Sequence, residues 1–452
     1  MTAESMNLIE FKKMFPGEDT AEKMYKLIER LYPICRSITG NGLRETLSEI
    51  QKHIPISVKE IPTGTKVFDW TVPKEWNIND AYIKNSKGER VIDFKASNLH
   101  VLSYSIPTQK KLSLNELKDH IYTLPDHPDW IPYRTSYYDE KWGFCMSQNQ
   151  FSTLKEDDYE VCIDSRLEEG HLTYGEYVVQ GRTRDEILIS CHICHPSLCN
   201  DNLSGISLAT FFAKYISRIS NEHTYRFLFI PGTIGSITWL SLNEPDVSKI
   251  KHGLVIAGVG DSGKFHYKSS RRGDAEIDQA SRNVLKHSGH EHEIVDFFPY
   301  GYDERQYCSP GFNLPVGCFG RTPHGQYPEY HTSADNLEFI RPVYLYESLL
   351  VCTAIAHAID NNRYYMNQNP KCEPLLGKRG LYDKIGGGNE GQEKQLAMLW
   401  VLNFSDGNHS LLDISDRSGL DFELIKGVAD LLVEYQLLNR KSERIPRGLP
   451  RG

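Results

Sequence analysis

The sequence lacks any uninterrupted apolar stretch as long as a membrane-spanning helix. Its longest apolar runs, such as residues 349–359, fall well short of the roughly 18 residues that a bilayer requires. Residues 1–10 contain an early acid and no apolar segment of the kind found in a secretory signal. These absences predict a cytoplasmic protein with no membrane partner.

An excess of basic charge is also absent. Lys and Arg number 51 against 60 Asp and Glu, giving a formal net charge of −9, so the whole molecule has no attraction for nucleic acid or anionic lipid. A local basic cleft is still compatible with this balance. Cysteine is sparse as well: ten in 452 residues are too few for a disulfide framework, and we expect thiols unless they bind metal.

What the sequence does contain is the composition of a folded globular protein, with 39% hydrophobic and 25% charged residues. At roughly 150 residues per domain, its length predicts about three domains. Residues 69–165 carry short aromatic-rich segments between Pro and Asp turns, which predict an inserted, β-rich domain. Residues 1–68 and 166–380 are predicted to form one discontinuous α/β domain, because from Thr173 onward buried strands alternate with helices.

A winged helix-turn-helix module is predicted over residues 388–450. Three helical stretches follow a glycine-rich segment, residues 386–391, that is typical of a linker. The candidate recognition helix, residues 421–440, carries four acidic and two basic side chains and would repel phosphates. We therefore expect no nucleic-acid partner, and a module that packs on the α/β domain or on a second subunit of a homo-oligomer. A nucleic-acid regulator is a further alternative that rests on this module alone.

The strongest chemical signal lies at the end of one predicted strand. Residues 187–191 lead directly into His192, and His195 and Asp201 follow before a helix. These are zinc-binding residue types, and the C-terminal ends of strands are where α/β sheets form their sites. A lone histidine is more often a packed or hydrogen-bonded residue, and the cysteines of this segment are equally consistent with small buried apolar residues. Two histidines and an aspartate within ten residues favour a metal site.

A second cluster lies far along the chain, at residues 325–336. Taken alone, its His331 is more often a structural residue. The order of motifs, however, resembles that of the M28-type zinc aminopeptidases: a strand His, Asp-Asn-x-Ser-Gly at residues 201–205, Val-Gly-Asp at 259–261, and Tyr-His-Thr-Ser-Ala-Asp at 330–335.

A closer resemblance, over nearly the whole chain, is to the DUF4910/DUF2172 aminopeptidase-like proteins. It is carried by Pro-Asp-His-Pro-Asp-Trp at residues 125–130, Cys-His-Pro-Ser-Leu at 194–198, Ile-Pro-Gly-Thr-Ile-Gly-Ser at 230–236, and Arg-Arg-Gly-Asp-Ala-Glu-Ile at 271–277. Members of this family often accompany polysaccharide-biosynthesis genes. The resemblance implies a zinc-aminopeptidase-like mixed sheet with helices on both faces, an inserted mostly β domain and a C-terminal winged helix.

The same resemblance implies the metal ligands. Asp201 becomes the central ligand and His331 the distal one. The strand ligand stays open between His192, which matches by distance along the strand, and His195, which matches the Cys-His-Pro signature and is preferred. Asp261 is implied as another ligand or a nearby support. With water completing the coordination, one zinc ion per chain is predicted.

One departure from the aminopeptidase pattern concerns the catalytic base. Those enzymes follow the next strand with two glutamates, one activating water and the other binding a second zinc. Here Gly232 and Thr233 occupy these positions, and neither side chain is a base or a good zinc ligand. A single-metal site follows, and Asp303, Glu304 and Glu329 are candidates to replace the base or to bind a free amine.

Cationic and aromatic side chains are expected around the site, because the resemblance brings their segments to the cleft. They are Arg271, Arg272, Arg305, Arg321, Tyr302, Tyr307, Tyr327 and Tyr330. A single arginine at a loop end is more often solvated. Guanidinium groups bind carboxylates bidentately, however, so four of them predict a small-molecule or short peptide substrate that carries an anionic group.

Two functional classes follow from these residues. In the first, the chain is a zinc-dependent hydrolase of an amide or peptide bond, acting on a small anionic or amino-sugar-related substrate. In the second, it is a catalytically degenerate, zinc-containing binding protein linked to polysaccharide biosynthesis. Position 232 discriminates between them. If no neighbouring carboxylate replaces the base, Gly232→Glu should raise turnover.

Overall fold

The computed structural model describes residues 12–381 and 389–441, and within them the chain alternates helices and strands. The helices are α1 (Gly17–Leu31), α2 (Asn41–Gln51), α3 (Leu114–Lys118), α4 (Gln148–Thr153), α5 (Ser204–Ile216), α6 (Ile234–Asn243), α7 (Glu276–His287), α8 (Glu304–Tyr307), α9 (Pro342–Asn361), α10 (Asn389–Phe404), α11 (Leu411–Ser418) and α12 (Phe422–Glu434). The strands are β1 (Ser57–Pro62), β2 (Lys66–Val67), β3 (Trp70–Thr71), β4 (Glu75–Lys84), β5 (Arg90–Asp93), β6 (Thr108–Ser113), β7 (Ile121–Tyr122), β8 (Phe144–Cys145), β9 (Asp158–Glu168), β10 (His171–Val179), β11 (Glu186–His192), β12 (Thr224–Ile230), β13 (Ile250–Ile256), β14 (Phe265–Lys268), β15 (His292–Val295), β16 (Val316–Gly320), β17 (Tyr364–Asn367), β18 (Asp406–Ser410) and β19 (Leu438–Lys441).

An eight-stranded mixed sheet, in the order β1-β10-β12-β11-β13-β16-β14-β15, forms the centre of the fold. Strands β12, β11, β13 and β16 are parallel, whereas β10 pairs antiparallel with both β1 and β12. Along β11, Ile187 and Ile189 join one apolar core and Leu188 joins another, as expected for a strand buried on both faces. Helices α1, α5 and α9 contribute to the first core and α6 to the second. The predicted mixed α/β sheet with helices on both faces is confirmed.

A second sheet lies within the segment predicted as the insertion. Strands β5-β4-β9-β6 are antiparallel throughout and have their own apolar core, which includes Ile83 and Val161. Arg44 of α2 binds both carboxylate oxygens of Glu75 at the start of β4, at 2.7 and 2.8 Å. This bidentate ion pair ties the insertion to the helices beside the large sheet.

The C-terminal winged helix is confirmed, and its sheet includes an element that the sequence analysis placed in the α/β domain. Strand β17 pairs with both β18 and β19, so the module uses chain from Tyr364 onward rather than from residue 388. Part of the predicted linker, residues 386–388, lies outside the described residues, and the remainder begins α10. Asn283 of α7 donates to Ser415 at 2.7 Å and accepts from the backbone of Phe422 at 3.2 Å. The module therefore packs on the α/β domain.

We expect the winged helix not to bind duplex DNA. Helix α12 turns Phe422, Ile425 and Val428 into the protein core, and its sequence carries an acidic excess that opposes phosphate contacts. The measurement is a titration of the full chain with a short duplex at low and at moderate salt. Salt-sensitive binding that Lys426→Glu abolishes would contradict the expectation.

Helix α9 is twenty residues long, and its length and apolar composition would suffice to cross a membrane. It extends beyond the apolar run noted in the sequence. Twelve of its residues are buried, and it packs against α1, α5 and α7. This pattern is typical of a central core helix.

Candidate metal centre and active site

Three histidine rings converge on one carboxylate at the end of β11. His192 Nε2 lies 2.8 Å from Asp201 Oδ1, His331 Nε2 lies 3.0 Å from Oδ2, and His195 Nδ1 lies 3.2 Å from Oδ2. The candidate ligand atoms of His192, His195 and Asp201 all lie within 4.8 Å of one another. The structure thus brings both strand histidines to the cluster, where the sequence analysis left a choice between them.

Backbone contacts explain why Asp201 points at the rings. Strand β11 ends at His192, and the turn Cys199–Leu203 carries Asp201 back beneath it. Asp335, which is fully buried, accepts from the backbone N–H groups of Asn200 and Asp201 at 2.6 and 3.0 Å. The second sequence cluster therefore supports the first one as well as supplying His331.

An N-terminal residue that the sequence analysis missed holds the loop after β11. Arg36 is fully buried, and its Nε donates to the backbone carbonyl of His195 at 2.8 Å. Its Nη1 donates to the carbonyl of Leu31 at 2.7 Å. No local motif marks Arg36, because its partner lies 159 residues away along the chain.

The inserted domain positions the third histidine. His331 adopts a left-handed backbone conformation, φ 56°, which is strained for a residue with a side chain. Its carbonyl accepts a hydrogen bond from the N–H of Tyr133 at 2.7 Å. Two further hydrogen bonds, at 2.8 and 2.9 Å, join Ile131 to Ser333. The ring of Tyr133 packs edge-on against His195 and His331. The insertion is thus part of the site.

Burial and mutual attraction set the charge of the cluster. Burial alone would raise the pKa of Asp201, but His195 and His192 hold it well below its usual value. Desolvation lowers the pKa of His192 and of His331. An ionised carboxylate among imidazole nitrogens is the donor set that zinc prefers, so the residues present fit the predicted metal.

Asp261, predicted as a further ligand or as a support, lies outside the cluster. Its Oδ2 accepts from the side chain of Asn200 at 2.8 Å, and its Oδ1 accepts from Thr322 at 2.7 Å and from the Gly263 N–H at 2.6 Å. Both oxygens are therefore used in holding loops. The ligand prediction for Asp261 is corrected, and it remains as a support through Asn200, the neighbour of Asp201.

A cavity of about 300 Å³ opens onto the cluster. A larger cavity, about 580 Å³, lies between the N-terminal helices and the insertion and contains none of the cluster side chains. On the wall of the smaller one, a Cβ built at Gly232 would lie 3.6 and 3.7 Å from the two carboxylate oxygens of Asp303. A glutamate side chain at position 232 would therefore begin next to the carboxylate of Asp303, which comes from a different part of the chain.

Asp303 is buried, and only one of its two carboxylate oxygens accepts a hydrogen bond from the described residues. Its Oδ1 accepts from the Ser236 hydroxyl at 2.8 Å, and its Oδ2 has no hydrogen-bond partner among the described residues. Burial raises the pKa of Asp303 to about 7, against the opposing effect of the Ser236 hydrogen bond. These are properties that a general base needs near neutral pH.

The other two candidate carboxylates are not in the cavity. Glu304 is fully buried and forms an ion pair with Lys268, whose ammonium also donates to the carbonyl of Tyr300 at 2.9 Å. Glu329 contributes its backbone carbonyl to the turn at Thr332, and its side chain does not line the cavity. Their assignment as substitute bases or amine-binding groups is corrected.

Of the four predicted arginines, only Arg305 lines the cavity. Arg271 and Arg272 are exposed and bind the side chain and backbone of Asn313. Arg321 is buried and binds Glu347, Ser348 and the carbonyl of Gly263. The prediction of a four-arginine anion site is therefore reduced to one guanidinium.

Of the four predicted tyrosines, two line the cavity and two do not. Tyr302 stacks on His192 with ring centroids 4.9 Å apart, and Tyr330 stacks on His331 at 3.9 Å. Both line the cavity, whereas Tyr307 binds Ser190 in the core and Tyr327 lies behind Tyr330. Further aromatic groups in the cavity wall, which the sequence analysis did not single out, are Trp70, Tyr137, Tyr138, Tyr300 and His324.

Comparison with known proteins agrees with this architecture. Residues 25–362 match the family described as Domain of unknown function (DUF4910), and residues 363–440 match a winged helix-turn-helix family. A Clostridium acetobutylicum protein, provisionally named a polysaccharide biosynthesis protein with an aminopeptidase-like domain, is 56% identical over 422 residues, which are 93% of this chain and 97% of the relative.

Solved structures show the same fold. A crystal structure from Clostridium acetobutylicum, provisionally named a peptidase, has 53% identity and a TM-score of 0.92 over 96% of this chain and 100% of its own. BSAP, a zinc aminopeptidase from Bacillus subtilis, has 13% identity and a TM-score of 0.55 over 75% of this chain and 94% of its own. The chain therefore belongs to the DUF4910 family and combines a zinc-aminopeptidase-like fold with a C-terminal winged helix-turn-helix module.

Proposed function

We propose that the chain is a zinc-dependent hydrolase of an amide bond in which Asp303 replaces the general base that Gly232 cannot supply. The observation that carries the proposal is the carboxylate of Asp303, which lies beside Gly232 in the same cavity as the histidine cluster. A peptidase-like activity also agrees with the names of the C. acetobutylicum relatives.

The metal would be held by Asp201 with His192, His195 and His331. Three such donors suffice for a catalytic zinc with one open coordination position. A zinc ion bound there would polarise the amide carbonyl and make water more acidic. One ion per chain is proposed, because the oxygens of Asp261 are bound elsewhere and Thr233, at the position of the second-zinc ligand, offers only a neutral hydroxyl.

The reaction needs a group that takes a proton from water and delivers it to the leaving nitrogen. Asp303 Oδ2 accepts no hydrogen bond from the described residues and would take part in this transfer, and the Ser236 hydrogen bond on Oδ1 fixes the orientation of the carboxyl group. Its raised pKa allows both directions of transfer near neutral pH. The stacked rings of Tyr302 and Tyr330 hold His192 and His331 in place and cover part of the cluster from water.

The rate of hydrolysis is expected to rise with pH. Asp303 works as a base only when ionised, and burial raises its pKa to about 7, so kcat/KM should be low in acid and reach a plateau above neutrality. A bound cation would lower this midpoint, which we therefore expect at or below about 7. An ordinary aspartate, with a pKa of about 4, would leave the profile flat across this range. A profile that falls as the pH rises from acid to neutral would contradict the assignment.

Gly232→Glu is expected to lower activity rather than restore it. A Cβ at this position would lie 3.2 Å from the Cβ of His192 and next to Asp303, so the new side chain would crowd the ligand and place a like charge beside the base. Overpacking of this kind costs about 1–3 kcal/mol, and a loss of about tenfold in rate is expected. Gly311→Glu, which adds the same charge in open space, is the matched control. Higher turnover in Gly232→Glu would show that the present chain lacks a base.

The experiment for the proposal is a hydrolysis screen with metal removal. Aminoacyl amides and N-acyl amino-sugar amides are incubated with the zinc-loaded protein, the chelated protein and the protein reloaded with zinc. We expect product only in the two zinc-containing samples. The absence of hydrolysis in every sample, with zinc bound, would favour the zinc-containing binding protein instead.

A further inference from the structure

Exposed aromatic rings surround the mouth of the active-site cavity. We call Trp70, Tyr138 and Tyr300, which line it, the aromatic rim, and their exposed fractions are 43, 53 and 66%. Trp70, in β3, and Tyr138 both belong to the insertion, and Tyr300 lies in the loop between β15 and α8. The rings of Trp70 and Tyr138 lie 5.6 Å apart. Large aromatic side chains left in solvent around one cavity mark a binding surface.

The rim differs from a pocket for an apolar side chain. Such a pocket covers the faces of its rings, whereas these three residues are all exposed, and two carry hydroxyl groups. A flat ring face with a polar edge suits a ligand that is apolar on its faces and polar at its periphery. A pyranose has this character, since its C–H groups cover the faces and its hydroxyls project outward.

One cation in the cavity forms no ion pair with an acidic side chain of the described residues, although its charge acts on Asp303. Arg305 lines the wall, and its buried Nε has no hydrogen-bond partner among the described residues. Lys268 and Arg321, by contrast, are already paired with Glu304 and Glu347. The side chain is partly buried, and its guanidinium carbon lies 5.9 Å from the centroid of the Tyr300 ring. A buried N–H donor without an acceptor is costly, and a ligand carboxylate would satisfy it.

The cavity offers little to a free amine. Among the described residues, Asp303 is the one carboxylate that lines the cavity wall. Asp201 is fully buried and lies within the histidine cluster. If Asp303 serves as the base, no carboxylate is left to neutralise an ammonium group. A substrate with a free N-terminus, of the kind that an aminopeptidase takes, is therefore disfavoured.

We infer that the substrate is an N-acylated saccharide that carries a carboxylate, with the sugar on the aromatic rim and the carboxylate on Arg305. The inference rests on the proposed hydrolase function for its chemical step. In that step water adds to the acyl carbon and the C–N bond breaks. The acyl group leaves as a carboxylic acid, and the nitrogen takes the proton and leaves as the free amine of the sugar.

The test uses four probes that separate the two features. N-Acetylmuramic acid has both sugar and carboxylate, N-acetylglucosamine has the sugar alone, N-acetylalanine has the carboxylate alone, and leucylglycine has a free amine. Binding to the zinc-loaded full chain is measured by calorimetry, and acetate release is measured separately. N-Acetylmuramic acid should bind tightest, by about 10- to 100-fold over N-acetylglucosamine, as a charge-assisted hydrogen bond to Arg305 predicts.

Variants assign each contribution. Arg305→Gln should abolish the preference for N-acetylmuramic acid and leave the binding of N-acetylglucosamine unchanged, whereas the exposed Arg271→Gln should change neither. Trp70→Ala and Tyr138→Ala should each weaken both sugars by about 2- to 10-fold and spare N-acetylalanine.

Equal binding of the two sugars, or tightest binding of leucylglycine, would overturn the inference. The outcome for the proposed function is separate. Selective binding of N-acetylmuramic acid without acetate release would sustain the saccharide inference and refute the hydrolase, whereas zinc-dependent hydrolysis of leucylglycine would sustain the hydrolase and refute the saccharide inference.

Discussion

Asp303→Asn is expected to lower the rate of amide hydrolysis by about 10²- to 10⁴-fold, the usual contribution of general acid–base catalysis. The substitution keeps the size of the side chain and its oxygen that accepts from Ser236, but a neutral amide cannot take a proton from water. Zinc content should stay the same, because Asp303 is not among the cluster side chains. The measurement is kcat on a substrate amide with zinc content matched between the two proteins.

Two controls separate catalysis from stability. Glu329→Gln removes a carboxylate whose side chain lies outside the cavity, and its rate should match that of the unmodified protein. Ser236→Ala removes the hydrogen bond that orients Asp303, so its rate should fall less than that of Asp303→Asn. If Asp303→Asn retains full activity, or if Glu329→Gln loses as much, Asp303 is not the base.

Asp201→Asn should lose nearly all of its zinc and, with it, the hydrolytic activity. The Asp201 carboxylate lies within 2.8–3.2 Å of all three histidine nitrogens, so its removal takes away the central ligand and the negative charge that attracts the cation. The loss in zinc affinity should exceed the about 10- to 100-fold that an outer partner of a ligand contributes. Elemental analysis of the purified variant measures this directly.

Asp261→Asn is the matched comparison for that variant. Asp261 is also buried, but its carboxylate binds Asn200 and Thr322 rather than the cluster. It should therefore keep its zinc, provided circular dichroism shows an intact fold. Retention of zinc by Asp201→Asn, or equal loss from a folded Asp261→Asn, would show that the metal centre has been placed wrongly.

The sequence predicted the parts of the site that are local along the chain. His192, His195 and Asp201 lie within ten residues at the end of one strand, and sheet topology alone places such residues at the edge where sites form. The order of motifs then indicated that His331 joins them. The choice between the two strand histidines had no local answer, because the turn Cys199–Leu203 brings Asp201 between both rings.

The remaining site residues depend on contacts between distant segments. Asp303 faces Gly232 from 71 residues further along the chain, and the sequence placed it only in a set of three carboxylates. The ion pair with Lys268 distinguishes Glu304 from Asp303, since both carboxylates are fully buried. Exposed arginines such as Arg271 cannot be told from substrate-binding ones by sequence, because that difference is set by which loop faces the cavity.

Support from the insertion was the least predictable feature. The N–H of Tyr133 donates to the carbonyl of His331, 198 residues further along the chain, and no motif at either position predicts this contact. The insertion was predicted as a separate β-rich domain, and its role in holding a cluster histidine follows only from the three-dimensional structure.

A titration of the chelated protein with zinc tests the central claim most directly. Hydrolysis of a substrate amide is followed as zinc is added to the unmodified chain and to Asp303→Asn. We predict that activity rises linearly and stops at one zinc per chain, and that Asp303→Asn binds the same single equivalent with little turnover. Activity that needs a second equivalent, or that persists without zinc, would contradict it.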